Sequence, residues 1–242
     1  MPQNVYDDPE FFAKYSQFDR SVLGLAGAAE WPVLSGMLPD LSGMRVLDLG
    51  CGFGWFCRWA REHAAASVTG IDLSTKMIER ARRETDDAAI TYLLGSIEEF
   101  DFPPETFDCV FSSLAFHYIE SFDGVCDRVA RVLTGGGRFV FSIEHPIYTA
   151  PANPGWAVDS AGERAWPLNQ YQDQGARRTD WLVPGVLKYH RTVSTYVNTL
   201  IRHGFQLTRI EEWGPTATEL AARPALEDER HRPIFMLVAA SL

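Results

Sequence analysis

Cysteine is scarce in this chain of 242 residues. Cys51, Cys57, Cys109 and Cys126 are the whole complement, and no two of them form a C-x-x-C pair. That spacing excludes the common zinc and dithiol redox motifs. Cys57, Cys109 and Cys126 sit within apolar patterns and read as reduced, buried thiols. Basic charge is also in short supply, with 22 Lys and Arg against 32 Asp and Glu, a net charge of −10, and no long Lys/Arg run. A chain this acidic gains little from a polyphosphate backbone, so nucleic acid is not an expected partner. Long hydrophobic runs are missing as well. The longest late one, Ile234–Ala240, falls far short of the ~20 apolar residues that a membrane-spanning helix needs. Met1–Glu10 is polar and acidic, unlike a signal peptide. The expectation is a cytoplasmic protein with no membrane partner. The six histidines show no metal-ligand spacing, so no metal is expected. Oligomeric state leaves no mark on the sequence.

What is present is ordinary globular composition, 46% hydrophobic and 22% charged, and enough chain for one large domain or a domain with a lid. The first forty residues read as helical. Asp8 can cap a helix that starts at Pro9 and runs to Tyr15, and a second apolar stretch, Ser21–Leu38, is divided by Pro32. Short apolar runs then alternate with amphipathic stretches. Arg45–Leu49, Val68–Asp72, Ile90–Leu94, Phe107–Phe111 and Phe139–Ile143 read as strands; Trp55–Ala64, the segment capped by Ser74, and Val125–Leu133 read as helices. Such alternation predicts an α/β fold, a doubly wound, mostly parallel sheet covered on both faces. Residues 144–189 break the pattern with five prolines and with Trp156, Trp166 and Trp181. A connection this long predicts a lid, a binding loop or an inserted subdomain. A helix over Thr192–His203 and strands at Gln206–Glu211 and Ile234–Ala240 complete a seven-stranded sheet. The domain reading is a helical cap at 1–40, a ligand-binding core at 41–143, a lid insertion after strand five at 144–191, and completing elements at 192–242.

The most informative stretch is Val46-Leu47-Asp48-Leu49-Gly50-Cys51-Gly52-Phe53-Gly54. A buried strand ends in a glycine turn and a helix starts at once, the place where α/β proteins bind nucleotides. Asp72 follows Gly52 by twenty residues and closes the next strand, positioned to accept hydrogen bonds from ribose hydroxyls. The dinucleotide fingerprint asks for a third glycine three residues after the second. Trp55 stands there counting from Gly50 and Gly52, and Cys57 counting from Gly52 and Gly54. A Walker lysine is absent too. With Asp48 just before it, the loop is acidic and suits a cationic ligand without phosphate.

Val46–Gly54 resembles motif I of class I S-adenosylmethionine-dependent methyltransferases, of the small-molecule, type 11-like kind, and Gly70–Ser74 resembles their second motif. Leu94–Glu98 resembles their adenine-holding turn, Phe107–Val110 with Ser112–Tyr118 their fourth-strand motif, and Leu133–Gly137 the turn usually read L-x-P-G-G. The motifs occur in family order over about residues 40–145. The resemblance implies a Rossmann-like methyltransferase fold and S-adenosyl-L-methionine as cofactor. It implies that Gly50, Cys51 and Gly52, with Asp48 behind them, line the methionine part, that Asp72 holds the ribose, and that Leu73 and Met77 flank the adenine. Ser96, Ile97 and Glu98 share the adenine amine, since Ser96 stands where many relatives have a carboxylate. Tyr15 and Ser113 complete the expected cofactor shell.

Methyl transfer needs position and a dry site, and a hydroxyl or ammonium acceptor must also lose a proton. Candidates for the base follow the sheet edge: His117 after strand four, Glu144 and His145 after strand five. Tyr118, His190 and Arg191 are candidate contacts to a small-molecule substrate. Tyr148, Trp156, Trp166, Tyr171, Trp181 and Tyr189 either wall a substrate pocket or form the small core of the insertion. The expected activity is methyl transfer to an O or N atom of a small molecule. The alternatives are a non-catalytic S-adenosylmethionine-binding module and a nicotinamide-dependent oxidoreductase on a similar fold.

Overall fold

A computed structural model describes residues 3–242. In chain order the strands are β1 (Arg45–Leu49), β2 (Ser67–Asp72), β3 (Ile90–Leu94), β4 (Phe107–Ser113), β5 (Leu133–Glu144), β6 (Ala157–Val158), β7 (Arg164–Ala165), β8 (Gly175–Trp181), β9 (Val183–His190), β10 (Gln206–Glu212) and β11 (Phe235–Ser241). Seven of them form one sheet in the order β3-β2-β1-β4-β5-β11-β10. β11 is antiparallel to both of its neighbours, and the other pairings are parallel. The expected seven-stranded, mostly parallel sheet is therefore present.

Alternate residues of the central strands face opposite layers, which is why these segments read as continuous apolar runs. Leu47, Val110, Phe139 and Phe141 pack with Phe122, Val125, Tyr196 and Leu200 from helices Phe122–Val132 and Val193–Arg202. Val46, Cys109, Phe111 and Val140 pack on the other side with Phe56, Cys57, Ala60, Ile78 and Trp213. All four cysteines are buried and free. The chain adds β2 and β3 on one side of β1 and then crosses to add β4 and β5 on the other, so a crevice opens at the carboxyl ends of the parallel strands β1 and β4.

Two sequence expectations need correction. Ser21–Leu38 is not a helix divided by Pro32. It holds short turns and the helix Trp31–Ser35, in which Pro32 takes a first-turn position where its missing N–H is harmless. The span 144–189, expected only as a break in the strand–helix pattern, holds two further strands, β8 and β9, in a hairpin joined at Leu182, a non-glycine residue at φ 62°. Along β9 the inward residues Val186, Lys188 and His190 are buried while their neighbours are not.

Trp213 is among the largest buried side chains, 2% exposed; its amide donates to the Phe235 carbonyl of β11 at 3.0 Å, and its ring lies tilted 6.0 Å from that of Phe235. Replacing it by alanine opens a cavity that costs ~3–5 kcal/mol. Urea unfolding of Trp213→Ala should give a lower midpoint with an unchanged m-value.

Candidate functional site

The turn after β1 is built by backbone. The Gly50 and Cys51 amides both donate to the Ile71 carbonyl of β2, at 2.8 and 2.9 Å. Gly52 has φ 51°, and a Cβ added there would meet no atom within 4 Å, so its backbone faces open space. Gly54 opens the next helix at φ 74°, and a Cβ there would collide with the Tyr92 hydroxyl of β3. Asp72 closes the neighbouring strand. Its Oδ2 accepts the Gly52 amide and its Oδ1 the Ser74 amide, each at 2.9 Å. Burial pushes this carboxyl up to about 6, against the lowering pull of those two amides.

Above the turn lies a cavity of about 650 Å³, within the ~300–1,000 Å³ of small-ligand sites. It brings together most of the residues expected from sequence. Gly50, Gly52, Asp72, Leu73 and Met77 line one part, with Ser96, Ile97 and Glu98. Tyr15, Ser113, His117, Tyr118 and Glu144 line the same cavity. Glu98 also accepts the Ser121 amide at 2.8 Å, tying the post-β3 turn to the start of helix Phe122–Val132.

Five expected site residues do not line it. Asp48 is 2% exposed behind the turn, where its carboxylate meets Cys57 Sγ at 3.2 Å and burial pushes it up to about 7. Cys51 turns inward beside it, its thiol pushed up by burial to about 11; both border only a side cavity of about 90 Å³. His145 instead caps the helix Pro146–Thr149 through Nδ1, and its Nε2 meets Glu212 Oε1 at 2.8 Å. His190 is held by the Thr149 hydroxyl and the Tyr171 carbonyl, both at 2.9 Å. Arg191 points back into the protein. Its guanidinium donates to the Phe116, Ile119 and Glu120 carbonyls and so shapes the loop that carries His117 and Tyr118.

His117 is 2% exposed, and burial lowers it to about 4, so the ring is neutral at pH 7. Nδ1 accepts the Glu144 amide at 3.3 Å, which leaves the proton on Nε2. In this tautomer Nε2–H faces Glu144, whose Oε1 lies 3.9 Å away. Glu144 ends β5. Its Oε1 accepts Lys188 Nζ at 2.6 Å; Lys188 is buried and the Glu144 side chain is 11% exposed.

Several lining or supporting residues escaped the sequence reading. Tyr6, Phe18 and Arg20 come from the N-terminal segment. Asp7 fastens that segment by accepting the Ser74 hydroxyl at 2.6 Å and the Thr75 and Lys76 amides at 3.2 and 3.1 Å. Asn4 donates to the Leu73 carbonyl at 3.2 Å, and Gln3 accepts the Leu187 amide of β9 at 2.7 Å. Lys188 did carry a signal, a lone lysine at an inward position of an alternating strand.

Known proteins resemble this chain in family and in fold. Residues 47–141 match the family model described as a methyltransferase domain. The chain is similar to a solved S-adenosylmethionine-dependent methyltransferase from Mesorhizobium loti, at 52% identity and a TM-score of 0.87, over 90% of this chain and 100% of that one. It is 34% identical to an uncharacterized protein of Haemophilus influenzae over 98% of this chain and 96% of that protein. It is also 35% identical to a fatty-acid O-methyltransferase of Mycolicibacterium smegmatis, over 46% of this chain and 41% of that protein.

Removing the charge of Asp72 without changing its shape tests the ribose contact. Asp72→Asn should weaken S-adenosylhomocysteine binding about 10- to 100-fold, the ~1.5–3 kcal/mol of a charge-assisted hydrogen bond. In the unaltered protein calorimetry should show affinity falling as the pH drops through about 6, where the carboxylate takes up a proton; affinity independent of pH there would remove Asp72 from the contact.

Proposed function

The chain belongs to the S-adenosylmethionine-dependent methyltransferases, and from that premise we propose that it transfers a methyl group to an oxygen or nitrogen atom of a small molecule. Family membership displaces the nicotinamide alternative. The observation that carries the reading of the acceptor is the cavity itself. It runs without a break from Asp72 and Met77 to His117, Tyr118, Glu144, Tyr148 and Trp181.

The residues of the first part fit the cofactor. The open backbone at Gly52 leaves room for the methionyl part, the Asp72 carboxylate keeps lone pairs for the ribose hydroxyls, and Leu73, Met77 and Ile97 offer apolar walls to the adenine. When bound, S-adenosylmethionine supplies an activated methyl group on a positively charged sulfur. The chain's own work is to orient the acceptor and to keep water away. Tyr6, Tyr15 and Tyr118 close the outer part with ring centroids 5.1 and 5.9 Å from Tyr6. The hairpin β8–β9 and the N-terminal segment act as a lid. Lys14 Nζ donates to the Leu182 carbonyl at the hairpin tip, at 2.8 Å, so the two covers meet each other.

A screen with methyl-labelled cofactor tests the acceptor. Label is expected on the O or N atom of a small alcohol, phenol or amine; label on carbon, or only on a macromolecule, refutes the proposal. With an acceptor in hand, His117→Asn should lower kcat on the order of 10- to 100-fold through lost positioning, with cofactor affinity unchanged. Equal losses in both would make His117 a packing residue.

A further inference from the structure

Within that reading, we infer that the acceptor is a flat, uncharged molecule bearing an O–H or N–H group, that this group donates its hydrogen to Glu144, and that the site turns carboxylates away. The inference names the acceptor class and rests on the methyl-transfer proposal above.

The first observation is an orphaned oxygen. Glu144 lines the cavity, and its Oε1 is taken by Lys188, but its Oε2 is buried with no hydrogen-bond partner among the described residues. A buried carboxylate oxygen left unpaired is costly, and a donor arriving on a ligand relieves that cost. A carboxylate acceptor brings no such donor. His117 cannot take this part, because its Nδ1 already accepts the Glu144 amide and its Nε2 carries the proton.

The second observation is the charge of the walls. Asp19, Asp72, Glu98 and Glu144 line the cavity, against Arg20 as the one lysine or arginine among the described lining residues, and Arg20 is paired with Glu30 at 2.7 Å. Lys188 is matched by Glu144. Among the described residues no unmatched lysine or arginine lines the cavity to receive an anionic acceptor, and the surplus of acids repels one. The field that welcomes a sulfonium opposes a carboxylate beside it.

The third observation concerns shape. Lys188 Nζ lies 4.9 Å from the ring centroid of Trp181 and 5.9 Å from those of Tyr118 and Tyr148. The carboxylate that holds this ammonium therefore sits amid three rings, all of which line the cavity. Such walls favour a planar body by stacking and edge-to-face contact. In the reaction the proton of the acceptor's O–H or N–H passes to Glu144. The new bond forms from oxygen or nitrogen to the methyl carbon, while the electron pair of the broken carbon–sulfur bond stays on sulfur. Glu144 then returns the proton to solvent.

Three planar probes of one shape separate the possibilities: 1-naphthol, 1-naphthylamine and 1-naphthoate, titrated into the full chain saturated with S-adenosylhomocysteine. The naphthol or the naphthylamine should bind at least tenfold more tightly than the naphthoate. Glu144→Gln, whose amide can donate as well as accept, should erase or reverse that preference, and Glu144→Asp should keep it. Retained S-adenosylhomocysteine binding shows that each variant is folded. Naphthoate binding as tightly as the others, or a preference unchanged in Glu144→Gln, overturns the acceptor class alone. Binding of none of the three to a protein that still holds S-adenosylhomocysteine overturns the class and the small-molecule reading together.

Discussion

The hydrogen bond from the Gly52 amide to the Asp72 carboxylate joins the ends of two neighbouring strands, and the site hangs from it. Register explains why it exists. β1 and β2 run parallel with Leu49 beside Ile71, so the turn after one strand meets the acid that ends the other. The Ile71 carbonyl fixes the turn through two amides, and Asp72 then receives the third. The other oxygen of Asp72 accepts Ser74, whose hydroxyl caps the following helix and in turn donates to Asp7. One carboxylate thus orders the turn, the start of a helix and, through Asp7, the N-terminal cover. Each oxygen still keeps a lone pair for a ligand. A charge-assisted bond of this kind contributes ~1.5–3 kcal/mol, more than a neutral one.

Most of this first part was legible in the sequence because its signals are local. A strand ending in closely spaced glycines fixes its own geometry, and the acid twenty residues on follows from one βαβ unit. The sheet was legible too, since runs such as Val46–Leu49 and Phe139–Ile143 are buried on both faces. The hairpin β8–β9 was not. Its first strand alternates exposed Ala176, Arg178 and Asp180 with half-buried Gly175, Arg177, Thr179 and Trp181, and Pro184 interrupts the second, so only the end of the second strand shows an alternation in the sequence. His145, His190 and Arg191 misled for a different reason. Residue type and position after a strand suggest chemistry, but their partners Glu212, Tyr171 and Ile119 lie 67, 19 and 72 residues away. Only the folded chain shows that these polar groups are already satisfied.

Electrostatics unites composition and site. The surplus of acids in the sequence is partly lodged where it costs most: burial raises Asp48 to about 7 and Asp72 to about 6. Uncompensated carboxylates are expensive in a dry interior. Their retention around the crevice makes sense when the ligand itself brings positive charge. Glu144 is treated differently, with a lysine held against it in a ring of aromatic side chains.

The two parts of the cavity also differ in how they are assembled. The turn, Asp72, Met77 and the Ser96–Glu98 bend come from consecutive strand–helix units, so a change to one disturbs its neighbours through backbone bonds. The outer part is gathered from distant places: Tyr6 from the N-terminal segment, Tyr118 from the loop after β4, Glu144 from the end of β5, Trp181 and Lys188 from the hairpin. These pieces meet mostly through side chains. The N-terminal segment spans both parts, since Asn4 and Asp7 bond to Leu73 and Ser74 while Tyr6 reaches Tyr118, whereas the hairpin belongs to the outer part.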